Sequence, residues 1–166
     1  MRLILSLIVI LIAVFIGIIG VALVAVPAQL WTVIAGNPDL GPVDFATLKK
    51  TSRPNQYLLC PEGICKTETP DAISKTYPFS PVELKEKLKG FGATAQNMVL
   101  VHEDNTTLRF VARSPQLKFP DTISIEVFPA ENGSTLAIYA RAQLGYRDFN
   151  ANKTYAQAFL SAIEPQ

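Results

Sequence analysis

The chain has 166 residues, enough for one domain and an accessory segment but not for two ordinary domains. Its apolar fraction of 49% is concentrated at the front. With Arg2 set aside, the 15 Lys and Arg residues fall to the same number as the 14 Asp and Glu, and that balance removes the electrostatic case for a nucleic-acid partner.

From Leu3 to Val26 only Ser6, Gly17 and Gly20 interrupt an apolar run. As a helix it would be roughly 36 Å long at about 1.5 Å per residue, against a hydrocarbon core of about 30 Å. A helix is the only single segment that satisfies its own backbone in lipid, so residues 1–27 are expected to be a transmembrane anchor. A cleaved signal peptide is the competing reading. However, Val26-Pro27-Ala28 is a poor cleavage site, and the run exceeds the roughly 7–15 residues of a signal core. Arg2 precedes the run and the first charges after it are Asp39 and Asp44, so the positive-inside bias places the remainder on the periplasmic or extracellular side of a cell membrane. Trp31 suits the interfacial zone.

Residues 28–42 carry Gly36, Pro38, Gly41 and Pro42 and read as a juxtamembrane linker, leaving 43–166 as the extracytoplasmic domain. Val43–Lys50 reads as a strand anchored by Phe45 and Leu48, and Asn55–Cys60 as a second extended segment. Cys60 and Cys65, the only cysteines, stand in C-x4-C spacing around Pro61 and Gly63. In an exported compartment such a pair is most simply a structural disulfide. Redox or metal use would call for C-x-x-C spacing or for further ligands, and the only His is His102. Residues 66–79, with Pro70 and Pro78, read as a long surface connection.

Ser80-Pro81-Val82-Glu83 is a helix start: a capping Ser, Pro at the first helical position and the Glu of a capping box. Gly90 and Gly92 are expected to end that helix. Residues 94–103, 107–113, 121–129 and 134–143 then alternate as four strands joined by tight turns, which argues for an antiparallel meander. Tyr155, Phe159, Leu160 and Ile163 form the apolar stripe of a final helix at 151–163. The expected fold is α+β: an antiparallel sheet of four or more strands with both helices on one face.

Alternation along the strands sorts the two faces. Leu108, Phe110, Ala112, Ile123, Ile125, Val127, Leu136, Ile138 and Ala140 belong under the helices. The opposite face gathers Arg109, Arg113, Ser124, Glu126, Tyr139, Arg141 and Gln143. A sheet face turned to water accounts for that polarity. The functional alternative is a concave surface on which the arginines grip a carboxylate or an anionic headgroup.

Thr51-x-x-Pro54-Asn55-x-x-Leu58-x-Cys60-Pro61-x-x-x-Cys65, followed by Arg141-x-Gln143-x-Gly145-Tyr146-x-Asp148-Phe149-x-x-Asn152, resembles the uncharacterised family known as domain of unknown function 1499. The resemblance implies an exported or membrane-associated protein and brings no activity. Arg147 and Asn150 depart from the family's more familiar Ser and Gly, and Asn is the next residue after Gly to tolerate positive φ. The Gly145–Asn150 segment joins the last strand to the last helix, where Asp148 or Asn150 would cap and Asn152 would bond back to the loop.

No G-x-S-x-G, H-E-x-x-H or phosphate loop is present, and a lone His102 at a strand end is no assembled base. No catalytic residue, metal or cofactor is assigned. The leading expectation is a non-catalytic envelope module that binds a lipid-like or small anionic ligand, or another envelope protein. The candidate residues are Arg109, Arg113, Glu126, Tyr139, Arg141, Gln143, Asp148 and Asn152. The alternative is an envelope hydrolase or transferase that uses Asp148 with nearby arginines.

Overall fold

The computed structural model describes residues 2–24 and 28–164. Helix α1 (Arg2–Val24) carries the apolar run. Its side chains are described from Ile4 to Gly20, and the large apolar ones among them are exposed. Among the described residues no helix is long and apolar enough to cross a membrane. The end of the run and most of the Val26-Pro27-Ala28 cleavage reading lie outside the described residues.

Helix α2 (Ala28–Ala35) occupies the first half of the stretch that reads as a linker. Strands β1 (Gln56–Cys60) and β2 (Ala72–Ile73) follow, then α3 (Pro81–Thr94), β3 (Met98–Glu103), β4 (Thr107–Arg113), β5 (Pro120–Ala130), β6 (Gly133–Ala142) and α4 (Ala151–Ile163). The six strands form one sheet in the order β2-β1-β6-β5-β4-β3. β3 to β6 are the expected meander, and β1 adds to its edge antiparallel to β6, with Leu58 opposite Tyr139. β2 runs parallel to β1, so the sheet is mixed rather than wholly antiparallel. Its two residues came from the region expected to be loop. Asp71, just before β2, supplies the pairing that so short a strand lacks: its carboxylate accepts the Leu58 amide at 2.8 Å, and its own amide donates to the Leu58 carbonyl at 2.8 Å.

Ser80 and Glu83 form the full capping box at the start of α3. The helix does not stop at Gly90 and Gly92; it continues to Thr94. Gly92 serves packing instead. A Cβ there would lie no more than 3.1 Å from three ring carbons of Phe110, which is fully buried. α3 and α4 cover one sheet face, where Leu84, Leu88, Phe159 and Ile163 meet Phe110, Ile123, Ile125 and Ile138. The rings of Phe91 and Phe110 stand 4.9 and 5.4 Å from that of Phe159.

The second face is covered too. Val43–Lys50 is not a strand: a turn at 45–47 is held by Asp44, whose carboxylate accepts the Ala46 amide and the Thr47 hydroxyl, both at 2.9 Å. Phe45 and Leu48 nevertheless anchor it, packing with Leu58, Cys60, Ala137 and Tyr139 into a second buried cluster. Cys60 and Cys65 are disulfide-bonded, with Cα atoms 6.3 Å apart, and border the same cluster. Residues 36–48 thus form a strap across the face expected to meet water.

Candidate functional site

The predicted polar face is assembled as expected, but its side chains are engaged by the strap. Arg109 grips Asp39 through two bonds, Nε to Oδ1 at 2.7 Å and Nη2 to Oδ2 at 3.0 Å. Arg141 donates to the carbonyls of Leu40 at 2.9 Å and Gly41 at 3.0 Å. Gln143 donates to the carbonyls of Ala35 at 2.9 Å and Asn37 at 2.7 Å, and the Thr122 hydroxyl joins the Leu40 amide to the Pro38 carbonyl. Tyr139 is buried and donates to Gln56 Oε1, while Arg113 donates to the Lys118 carbonyl. Burial tends to raise the Asp39 carboxyl, but the Arg109 bond, the Gly41 amide and the charges of Arg109 and Arg141 outweigh it and hold it below the usual range. Glu126 borders a shallow cleft of about 350 Å³ with Asp44, Arg109 and Ser124. Burial there, with Asp44 and Asp104 nearby, pushes its carboxyl up.

Asp148 and Asn152 belong to a different place. Phe149 and Asn150 take left-handed backbone, with φ of 52° and 67°, so the chain turns sharply into α4. Asn150 occupies the cap position without capping; the Asp148 carboxylate instead accepts the Asn152 amide at 2.9 Å. Asn152 is fully buried and reaches back to the Asn55 carbonyl at 2.9 Å. Asn55 in turn donates to the Gly145 carbonyl at 2.8 Å, and its carbonyl also receives the Ala142 amide. The Pro54-Asn55 segment and the Gly145–Asn152 segment, about ninety positions apart, are therefore bolted together through two buried asparagines.

Beside this junction lies a cleft of about 560 Å³, lined by Lys50, Thr51, Ser52, Arg53, Pro54, Gln56, Tyr57 and Asp71 on one side and by Asp148, Asn150 and Lys153 on the other. Lys50 is committed to Asp71 at 3.2 Å. Arg53 and Lys153 are exposed and make no ion pair among the described residues. The cleft offers two cations that make no ion pair among the described residues, an arrangement suited to an anion, while the Asp148 carboxylate already holds the N-terminus of α4 on its wall. Arg53, rather than Arg141, lines it together with Asp148. On the helix side of the same junction Asp121 is buried at the start of β5, and burial together with Asp148 raises its carboxyl to about 7. Sequence reasoning placed Asp148 and Asn152 among the candidates and missed Arg53, Lys153 and Asp121. The Pro54-Asn55 pair was the signal available, since it belongs to the motif whose other half contains Asp148 and Asn152.

Fold and site together define an α+β domain whose sheet is covered by helices on one side and strapped on the other, with a basic cleft where two distant motifs join. The family of proteins of unknown function known as DUF1499 matches residues 46–163, and the chain belongs to that family. Among curated proteins nothing matches. Two solved structures resemble it distantly. Protein MLL2253 from Mesorhizobium loti is 10% identical with a TM-score of 0.43, covering 54% of this chain and 90% of its own. TTHA0849 from Thermus thermophilus is 13% identical with a TM-score of 0.30, over the same shares of the two chains.

Proposed function

We propose that this chain is a single-pass envelope protein, anchored through α1, whose domain on the non-cytoplasmic side binds a small anionic or lipid-like ligand in the cleft between Arg53 and Lys153. The observation that carries the binding reading is the convergence of the two halves of the family motif on a cleft with two cations that make no ion pair among the described residues. The anchor is supported by the apolar run from Leu3 to Val26, and export by the Cys60–Cys65 disulfide, which persists in oxidising compartments. The strap redirects the ligand: Arg109, Arg141 and Gln143 hold the protein's own chain, so the binding site is the cleft and not the sheet face. Asp148 caps a helix there, which supports a binding role over the hydrolase reading.

Native mass spectrometry of the full chain, purified in mild detergent, tests this. Wild type is expected to retain an anionic species that the Arg53→Ala/Lys153→Ala variant loses while keeping its thermal midpoint. A wild type without any retained anionic species, or a double variant that keeps the same one, would overturn the assignment.

A further inference from the structure

Helix α2 is docked against one end of the sheet. Trp31 donates from Nε1 to the Leu117 carbonyl at 2.6 Å and packs against Phe119 in a tilted ring pair, with centroids 4.6 Å apart. The carbonyl of Ala35, at the helix's last residue, receives Gln143. Leu117 and Phe119 lie in the β4–β5 loop and Gln143 follows β6, so α2 sits where β4 and β6 finish and β1 and β5 begin. The indole is therefore held by a protein contact. Beside the polar Gln29 and Thr32, α2 leaves large apolar side chains outward: Val33 is 82% exposed and Ile34 61%.

The β6–α4 loop emerges at the same end and displays Tyr146 and Phe149, the latter 92% exposed. Phe149 and Asn150 are two successive non-glycine residues in left-handed backbone, a conformation L-residues avoid, and its result is an aromatic ring turned outward. The charges sort by end as well. Arg53, Lys118, Arg147 and Lys153 lie at this end, none in an ion pair among the described residues, and outnumber the Asp148 carboxylate of the same loop. At the opposite end, by the β3–β4 turn, Lys85 and Lys89 are both taken up by Glu103. A domain that is neutral as a whole is thus basic and apolar where the chain arrives from α1.

We infer that this end of the domain rests in the headgroup boundary of an anionic phospholipid leaflet, with Phe149, Tyr146, Val33 and Ile34 dipping in and the four basic side chains against the headgroups. Aromatic rings flanked by Arg and Lys favour that boundary over both water and hydrocarbon. The inference rests on the anchor reading, and it brings the mouth of the cleft to the lipid surface.

Spin labelling of the full chain tests it in nanodiscs of mixed phosphatidylcholine and phosphatidylglycerol. The disulfide leaves no free thiol among the cysteines, so Phe149→Cys, Val33→Cys and Glu131→Cys each introduce one labelling site; Glu131 lies in the β5–β6 turn at the far end. Labels at 149 and 33 are expected to relax with oxygen and to be shielded from a water-soluble nickel complex, and the label at 131 to show the reverse. Equal nickel access at 149 and 131, or shielding of 149 from both reagents as in a protein contact, would overturn the inference. Alkaline carbonate extraction of wild-type membranes reports on the anchor separately. Release of the chain would remove the anchor reading and this inference with it, whereas a retained chain with a solvated 149 would remove this inference alone.

Discussion

Asp121 sits on the helix side of β5, 5% exposed, with Asp148 and Tyr155 near enough to feel its charge. Burial and the Asp148 carboxylate raise its carboxyl to about 7, while burial and Asp121 raise the Tyr155 hydroxyl to about 12. In the unfolded chain the same carboxyl titrates near 3.9. Between those values the folded state binds a proton that the unfolded state has released, so folding weakens as pH rises from about 4 to about 7. A gap of roughly three units at about 1.4 kcal/mol each bounds the loss at about 4 kcal/mol. Asp121→Asn keeps the shape of the neutral acid and cannot ionise. We expect it to be about 2–4 kcal/mol more stable than wild type at pH 8, with a nearly equal stability near pH 4. Urea titrations at the two pH values measure this, and an equal shift at both would mean that Asp121 is not protonated in the fold.

At the scale of elements, the strap shows where sequence reasoning stops. The capping box of α3, the alternation of β4 to β6 and the stripe of α4 are local codes with fixed periods, and each element is where its code puts it. The strap has no period. Arg141 and Gln143 hold it by backbone carbonyls, which every residue carries, so nothing in residues 36–41 announces the partner. The arginines read correctly as seekers of a negative group, and the group proved to be Asp39 and a row of carbonyls from the same chain. Asp148 and Asn152 were legible through the motif, whereas Arg53 and Lys153 became visible only once the fold brought them to one cleft. Asp39 also gives the strap a test. Its side chain is 19% exposed and that of Arg109 12%, so removing the carboxylate strands a largely desolvated guanidinium. Asp39→Ala should lower stability by about 2 kcal/mol. Combining it with Arg109→Ala should add less than the second single change does on its own, and full additivity in a double-mutant cycle would deny the pairing.

The whole molecule is a sheet between two unequal covers. The helix side is a single large core, while the strap side rests on six buried residues, the disulfide and a set of polar clasps. Stability should therefore be graded, with the strap and the 61–71 connection opening below the global free energy. The disulfide closes a loop of only a few residues, worth about 2 kcal/mol in chain entropy, and both of its cysteines border the smaller cluster. Reduction should accelerate amide exchange in the strap and around Cys60–Cys65, and leave β4, β5 and the helix-side core at wild-type protection. Exchange mass spectrometry of the full chain in micelles, with and without reductant, resolves these segments, and uniform loss of protection would mean that the two covers unfold as one. Because the strap continues from α2, its opening would also free the sheet from the segment that leads to α1. Reduced chain in nanodiscs should then lose the nickel shielding expected of a label at 149 while keeping that of a label at 33.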